Sequence, residues 1–511
     1  MSDQKMIFGH PRGLATLFFT EMWERFSYYG MRALLILFMS AAVADGGLGF
    51  DDQTSGAIYG LYTMGVYLLA LPGGWLADRL FGLKKSVWYG GIIIALGHFT
   101  MGIPGIAELL GVHSEGVTAL DTNSFFLGLI FVVIGTGLLK PNVSALVGGL
   151  YAPGDVKRDA GFSIFYMGIN IGGFLAPILT GTLAESNWHL GFGLAGFGMV
   201  LGLIQYKLTS GYLGEIGDLE PARDNTEEEE RKKLKKGTTF VVIALAVLVL
   251  LMFMGIIPID AFSIASYSKY IIAIVAFSYL GYVIFFGGLT ASEQKKVIAI
   301  GIVFVFSALF WSGFEQAGST LNLFAERFTD RSIFGWEMPA SYFQSVNSLF
   351  IILFAPLFGA LWVWLAKRNL EPSSPLKFSF GLILLGLGFL TMYFAAKIAA
   401  SGDLAAPSWL LITYLLHTWG ELSLSPVGLS LTTKLAPKKF YSQMMGIWFI
   451  SVALGNLIAG LIAGEASGGD AEGVQQMPDQ YMLIVMTTIG GGLLLLMISK
   501  LIQKRLMGEI H

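Results

Sequence analysis

Residues 92–105 read Ile92-Ile-Ile-Ala-Leu-Gly-His-Phe-Thr-Met-Gly-Ile-Pro-Gly105, and apolar stretches of this kind recur along the whole chain, for example from Leu493 to Ile498. Hydrophobic residues make up 54% of the 511 residues and charged residues only 13%. A soluble domain has about a quarter charged residues. Apolar runs long enough to cross a bilayer must satisfy their backbone hydrogen bonds internally, so these runs predict membrane-spanning helices.

Hydropathy predicts about fourteen spans, which makes the chain an all-α polytopic membrane protein. One long polar stretch, Thr209 to Gly237, divides the spans into six, then two, then six. We therefore expect an N-terminal six-helix bundle (1–208), a cytoplasmic linker (209–237), a two-helix insert (238–292) and a C-terminal six-helix bundle (293–511). Glutamates in the linker precede basic residues by four positions, a spacing that predicts a short surface helix. Two six-span halves indicate a duplicated transporter with a central site.

The basic residues are unevenly distributed between the two sides of the membrane. If the N-terminus is cytoplasmic, only Lys269, Arg327, Arg331 and Lys397 of the 32 lysines and arginines lie in loops on the opposite side. Three more, Arg25, Arg32 and Lys140, lie inside spans. Cytoplasmic loops carry an excess of basic residues, so both termini are predicted to be cytoplasmic.

Several classes of site and partner are disfavoured by composition. The chain has no cysteine, and its six histidines show no paired metal spacing. The net charge of −3 gives no indication of a nucleic-acid partner. The segment from Met1 to Arg12 lacks the apolar core and cleavage site of a removable signal peptide. We expect no metal and no cofactor.

The first span contains four charged residues on one helical face. It reads Glu21-Met-Trp-Glu24-Arg25-Phe-Ser-Tyr28-Tyr29-Gly30-Met-Arg32, with the charges separated by three, four and seven positions. Such a face must line a polar interior, because a charge in contact with lipid is costly. Glu21, Glu24 and Arg25 could instead form a network that only packs helices, whereas Arg32 has no acid one turn away in its own helix.

Three further spans carry isolated charges. Lys140 precedes Pro141 in a glycine-rich stretch, and Glu315 and Glu421 are single acids in apolar surroundings. A buried carboxyl group close to a cation can take up and release a proton. The alternative is that each acid pairs permanently with an arginine or a lysine.

The signs of these charges differ between the two halves of the chain. Arg32 and Lys140 belong to the N-terminal half, and Glu315 and Glu421 to the C-terminal half. A cavity between the halves would suit a zwitterion such as a short peptide, with its carboxylate towards Arg32 and its ammonium group towards Glu421. Aromatic residues would supply the walls and two amides would bind the peptide backbone; the candidates are Tyr28, Tyr29, Tyr67, Trp311, Trp448, Asn170 and Asn347. Packing is the commoner role of an aromatic residue in a membrane protein.

These residues also lie in motifs that resemble those of the proton-dependent oligopeptide transporter family of the major facilitator superfamily. The segment Glu21 to Gly30 matches the first-helix motif ExxERFxYYG at every specified position. The segment Gly73 to Gly82, followed by Lys84 and Lys85, resembles the superfamily loop motif, and Phe165 to Gly172 resembles the fifth-helix motif FYxxINxG. The resemblance covers nearly the whole chain.

This resemblance implies a fold and a set of roles. Bacterial members have the major facilitator fold with fourteen helices and import di- and tripeptides with protons across the inner membrane. Proton coupling is implied for Glu21, Glu24, Arg25 and Glu315, and gating is expected at Asp78 and Arg79. Substrate binding is implied for Arg32, Lys140, Glu421, Tyr29, Tyr67, Asn170, Trp311, Asn347, Ser425 and Trp448. We expect a transporter that functions as a monomer, in contact with lipid, peptide and protons.

The chain departs from the animal members of the family at one position, and its residues fit two other functions less well. Animal members carry a histidine where this chain has Gly60, so the carboxylates must carry the proton. Plant relatives transport nitrate and other anions, but Glu421 would repel a simple anion. A membrane-embedded hydrolase or a nutrient sensor is disfavoured, because the spans contain no Ser-His-Asp grouping, zinc spacing or phosphate loop.

Overall fold

A computed structural model describes residues 6–112, 117–152, 155, 157–257 and 260–507, excluding the side chain of Pro426. The described residues are almost entirely helical. The helices are α1 (Arg12–Ser40), α2 (Asp52–Leu68), α3 (Ala70–Leu76), α4 (Leu83–Leu109), α5 (Ala119–Gly149), α6 (Lys157–Ala184), α7 (Trp188–Thr209), α8 (Asn225–Phe253), α9 (Ala261–Phe286), α10 (Ala291–Phe314), α11 (Thr320–Phe328), α12 (Gln344–Lys367), α13 (Ser374–Ala400), α14 (Ser408–Leu435), α15 (Tyr441–Ala466) and α16 (Ala471–Ile502).

Short turns and two small hairpins complete the secondary structure of the described residues. The 3₁₀ turns are Val43–Asp45, Ser210–Leu213, Glu315–Gly318, Ala340–Phe343 and Lys438–Phe440, and the π turns are Ala77–Phe81 and Gln503–Met507. Strand β1 (Met6–Ile7) pairs antiparallel with β2 (His10–Pro11), and β3 (Ser332–Ile333) pairs antiparallel with β4 (Trp336–Glu337).

The spanning helices agree with the prediction from hydropathy. Among the described residues, 12 helical segments are long and apolar enough to cross a membrane, including Asp52–Phe81 and Ala291–Phe328, which join shorter helices end to end. Two more long helices, α1 and α14, fall outside this set because they carry more polar and charged residues. The predicted all-α membrane architecture with fourteen spanning helices is confirmed.

The polar segment before the insert differs from the expectation of a separate surface helix. Its charged residues belong to α8, which runs without a break from Asn225 to Phe253. The Asp224 side chain caps the helix by accepting a hydrogen bond of 2.8 Å from the Glu227 amide. The pairs Arg231–Glu227 (2.7 Å) and Lys232–Glu228 (2.8 Å) then stabilise the first turns. The apolar span therefore continues directly from the charged run.

The chain forms two compact units, whose boundaries fall within α1, α2 and α9. The first unit comprises Met1–Met31 and Leu68–Ile264. Its helices α4 and α5 pack closely at glycines, since a Cβ atom at Gly90 would lie 2.7 Å from Gly135 O, and one at Gly97 would lie 2.7 Å from Gly128 O. Small residues at such contacts allow helix backbones to approach in a membrane.

The second unit comprises Arg32–Tyr67 and Ala265–His511. The part of α2 within this unit packs against α15 through Gly56, Gly60 and Gly460, and a Cβ atom at Gly460 would lie 2.5 Å from the Gly60 Cα atom. The second unit therefore includes the C-terminal end of α1 and most of α2 as well as the helices from α9 onward. The four-part division by residue number given above stays a prediction.

Candidate functional site

The first charged cluster lies on α1 in the first unit. The Arg25 Nε atom lies 3.1 Å from Glu21 Oε1 and also contacts Glu24 Oε2, and all three residues are buried. The guanidinium also lies 5.1 Å from the centre of the Tyr28 ring. Lys140 on α5 is half-buried and acts electrostatically on Glu21. The first unit therefore brings two acids and two bases together in its interior.

A second charged group is assembled around Arg32 in the second unit. Its Nη2 atom lies 2.8 Å from Glu315 Oε2, which makes a buried ion pair, although the angle falls outside hydrogen-bond geometry. Its Nε atom donates a hydrogen bond of 2.7 Å to the Tyr59 hydroxyl. Glu315 is the first residue of the 3₁₀ turn that follows α10. Arg32 therefore contacts a carboxylate from the turn after α10 and a hydroxyl from α2.

Glu421 on α14 lies in the same part of the second unit. The Asn347 side chain donates hydrogen bonds to Glu421 Oε2 (3.2 Å) and to Thr418 Oγ1 (3.0 Å). Glu315 and Arg32 both act electrostatically on Glu421. The second unit therefore brings one base and two acids into a common electrostatic environment.

The predicted aromatic residues fall into two groups by exposure. Trp311 and Trp448 are buried in the second unit, and Tyr29 and Tyr67 are half-buried. The rings of Trp448 and Phe378 pack edge to face with their centres 6.4 Å apart. The Trp448 ring also fills the space that a side chain at residue 428 would need. These contacts are those of a packing residue, and a role for Trp448 in binding stays a prediction.

The remaining predicted binding residues are less closely connected to the charges. The Asn170 amide is buried in the first unit and donates to the carbonyl of Tyr166 one turn earlier in α6, at 2.9 Å. Ser425 is half-buried on α14, next to a proline whose side chain is not described. Their roles in binding stay predictions.

The predicted gating residues Asp78 and Arg79 are exposed on the π turn Ala77–Phe81. Gly82 follows with a φ of +76°, a backbone conformation that favours glycine. Lys84 of the loop motif makes two close contacts. Its Nζ atom lies 2.7 Å from Asp218 Oδ2 and donates a hydrogen bond of 2.6 Å to Gly214 O. Lys84 therefore anchors the segment after the π turn to residues 214–218.

Sequence reasoning missed two polar groups in the second unit. One is Tyr59, which gave no signal because a lone tyrosine in an apolar helix resembles a packing residue. The other is Asp52 at the start of α2, which accepts hydrogen bonds of 2.6 and 2.8 Å from Arg327 and one of 2.5 Å from Ser467. The helix dipole already favours an acid at a helix N-terminus. The sequence therefore provides no reason to expect that Asp52 also contacts Arg327 and Ser467.

The glycine that replaces the histidine of the animal members has a steric explanation. A Cβ atom at Gly60 would lie 2.9 Å from Leu457 O and 3.3 Å from the Gly460 Cα atom. These are backbone atoms of α15, which cannot move aside as a flexible side chain could. The close approach of α2 and α15 therefore leaves no room for an imidazole at this position.

The chain is similar to known transporters along most of its length. A sequence model described as the POT family matches residues 84–477. The peptide transporter YePEPT of Yersinia enterocolitica is 43% identical over 466 residues, which cover 90% of this chain and 89% of the relative. The di-/tripeptide transporter of Lactococcus lactis is 35% identical over 457 residues, with 88% of each chain covered.

Solved structures give the same result for the fold. A crystal structure of the peptide transporter POT in complex with sulfate has a TM-score of 0.86 and 40% identity, with 98% of this chain and 97% of that chain covered. A POT family transporter in complex with 5-aminolevulinic acid has a TM-score of 0.85 and 33% identity, with 98% of each chain covered. The resemblance drawn from the motifs thus extends to the three-dimensional structure.

Proposed function

The chain belongs to the POT family of peptide transporters, and on that premise we propose that it is a proton-coupled symporter that imports di- and tripeptides by alternating access. It is a multi-pass membrane protein and not an enzyme. We place it in the bacterial inner membrane with both termini cytoplasmic, where it functions as a monomer without a cofactor. The asymmetric distribution of basic residues supports this orientation.

The observation that carries the proposal is the buried ion pair between Arg32 and Glu315, with Glu421 in the same environment. These three side chains have a net charge of −1 when all are ionised. A proton on Glu315 leaves one positive and one negative group, Arg32 and Glu421, which complement the carboxylate and ammonium groups of a peptide. Protonation therefore makes the site a match for a zwitterion.

The transport cycle follows from this change in charge. A proton taken up from outside neutralises Glu315 and frees Arg32 to bind the carboxylate of the peptide. Asn347 orients Glu421 for the ammonium group through its 3.2 Å hydrogen bond. After the carrier opens inward, Glu315 loses its proton, attracts Arg32 again and displaces the peptide. The peptide and the proton can favour the loaded state only because each binds it more tightly.

The test is uptake of labelled dialanine into proteoliposomes with an imposed pH gradient. We expect accumulation that collapses with the gradient, and weak competition by dialanine blocked at either end. We expect Glu315→Gln to abolish proton-driven accumulation while peptide counterflow continues. Loss of both activities in this variant would assign Glu315 to binding or folding. Competition by nitrate but not by dialanine would overturn the choice of peptide as substrate.

The orientation can be tested separately, because the chain contains no cysteine. Single cysteines at Lys236 and at Lys397 would be labelled in intact cells with a membrane-impermeant maleimide. We expect labelling of the cysteine at 397 only, and labelling of both after the cells are opened. The reverse pattern would invert the topology.

A further inference from the structure

Tyr59 lies beside Arg32 in a position that suits more than packing. It is fully buried on α2, and its hydroxyl accepts the 2.7 Å hydrogen bond from Arg32 Nε. The turn that contains Gly318 covers this hydrogen bond. A Cβ atom at Gly318 would overlap the Tyr59 hydroxyl and would lie 2.7 Å from Arg32 Nε. The absence of a side chain at residue 318 thus leaves the space in which this hydrogen bond forms.

Glu315 and Tyr59 contact different parts of the Arg32 guanidinium. Glu315 approaches Nη2 as an ion pair outside hydrogen-bond geometry, whereas Tyr59 accepts a hydrogen bond from Nε. The guanidinium is planar and its five N–H groups point in fixed directions, so one bond at Nε restricts the plane in which the Nη atoms can bind a carboxylate. The orientation of the Arg32 guanidinium therefore depends on the Tyr59 hydroxyl, and compensation of its positive charge depends on Glu315.

We propose that Tyr59 is a positioning residue that keeps the Arg32 guanidinium oriented for the peptide carboxylate when Glu315 is protonated. This inference rests on the proposed function. In the protonated state the ion pair is lost, and each remaining restraint on the long arginine side chain reduces the number of rotamers that peptide binding must remove. The Tyr59 hydroxyl is not the group that takes up the proton in this scheme, so its hydrogen bond with Arg32 Nε persists while Glu315 changes charge.

The substitution Tyr59→Phe removes this hydroxyl and leaves the ring in place. Peptide binding would be measured with purified protein in nanodiscs, in the native chain and in the Glu315→Gln background, which imitates the protonated acid. In the Glu315→Gln background we expect Tyr59→Phe to weaken dialanine binding about tenfold, the size of a hydrogen bond to a charged group. In the native chain we expect a smaller loss, because Glu315 still restrains Arg32.

Carboxyl-amidated dialanine separates positioning from a structural effect. This peptide lacks the carboxylate that Arg32 would bind, so we expect Tyr59→Phe to leave its affinity unchanged. The ratio of affinities for free and amidated dialanine should therefore fall about tenfold in the Glu315→Gln background. The matched control is Tyr481→Phe, because Tyr481 is a fully buried tyrosine of the same unit whose hydroxyl makes no hydrogen bond among the described residues.

The outcomes distinguish this inference from the proposed function. An unchanged ratio in Tyr59→Phe, or an equal loss for both peptides, would overturn the positioning role while leaving the symporter intact. If the native chain neither binds dialanine nor accumulates it under a pH gradient, the proposed function fails, whatever the result at Tyr59. Size-exclusion profiles and melting temperatures of all variants would identify a folding defect, and a Tyr59→Phe variant that unfolds would assign the hydroxyl to stability and overturn the inference.

Discussion

Two charged groups share helix α1 but are built differently. The group of Glu21, Glu24 and Arg25 is formed almost entirely within two turns of one helix in the first unit. The group around Arg32, seven residues further on, takes its partners Tyr59 and Glu315 from α2 and the turn after α10 in the second unit. The local group can keep its contacts whatever distant helices do. The second group depends on distant segments of the chain, so any displacement of them changes its contacts.

The comparison predicts that the local group chiefly maintains stability. Arg25→Ala would leave two buried acids beside each other, and breaking a buried ion pair by removing one partner costs about 3–5 kcal/mol. We expect a large fall in the melting temperature of the purified protein and a loss of transport. Lys232→Ala, at an exposed ion pair on α8, is the control and should change little. An Arg25→Ala variant with the melting temperature of the native chain would contradict a stabilising role for the local group.

The second group should be sensitive to the spacing of helices. Gly60→His would force a side chain against the backbone of α15, beside Tyr59, and overpacking of this kind costs about 1–3 kcal/mol. We expect lower thermal stability and weaker peptide uptake, with a smaller effect from Gly60→Ala. Gly490→Ala on α16 provides the control, since a Cβ atom there meets nothing within 4 Å. If Gly60→His supports normal uptake, the α2–α15 contact is not as rigid as its geometry indicates.

Glu421 offers a narrower test of the second group. Glu421→Gln keeps the shape of the side chain and removes its charge, so we expect about tenfold weaker binding of dialanine, close to 1.4 kcal/mol. Binding of N-acetylated dialanine should not change, because that peptide has no ammonium group. Competition assays would measure both affinities, with the exposed Glu472→Gln as control. Equal losses for the two peptides would remove Glu421 from the recognition of the amino terminus.

The smallest effect is expected outside both charged groups. Asp78 is exposed on the π turn after α3, so its substitution by alanine should leave peptide affinity and stability unchanged. If the turn takes part in gating, the maximal transport rate should fall roughly threefold, because opening steps often limit turnover. The neighbouring exposed Lys85→Ala is the control. An unchanged rate in Asp78→Ala would show that the gating assignment is wrong.

Local patterns made much of the fold predictable from the sequence. The spans follow from hydropathy, and the approach of Arg25 to Glu21 follows from their separation by four residues. The contact of Ser467 with Asp52 joins residues 415 positions apart, and no local periodicity predicts such a pairing. Tyr59 was missed for the same physical reason, because its role depends on a turn near residue 318. The start of α8 was misplaced because its charged run was interpreted as separate from the span.

The unbroken course of α8 limits where the chain can bend before the insert. Lys84 fastens the backbone at Gly214 and the side chain of Asp218 to the first unit, and the capped helix begins at Asn225. Only residues 219–224, one of which is Pro221, lie between these two fixed points without helical structure. Six residues span at most about 20 Å when extended. Helix α8 is thus joined to the preceding part of the first unit by a short segment, and its charged turns form a rigid extension of the span rather than a flexible linker.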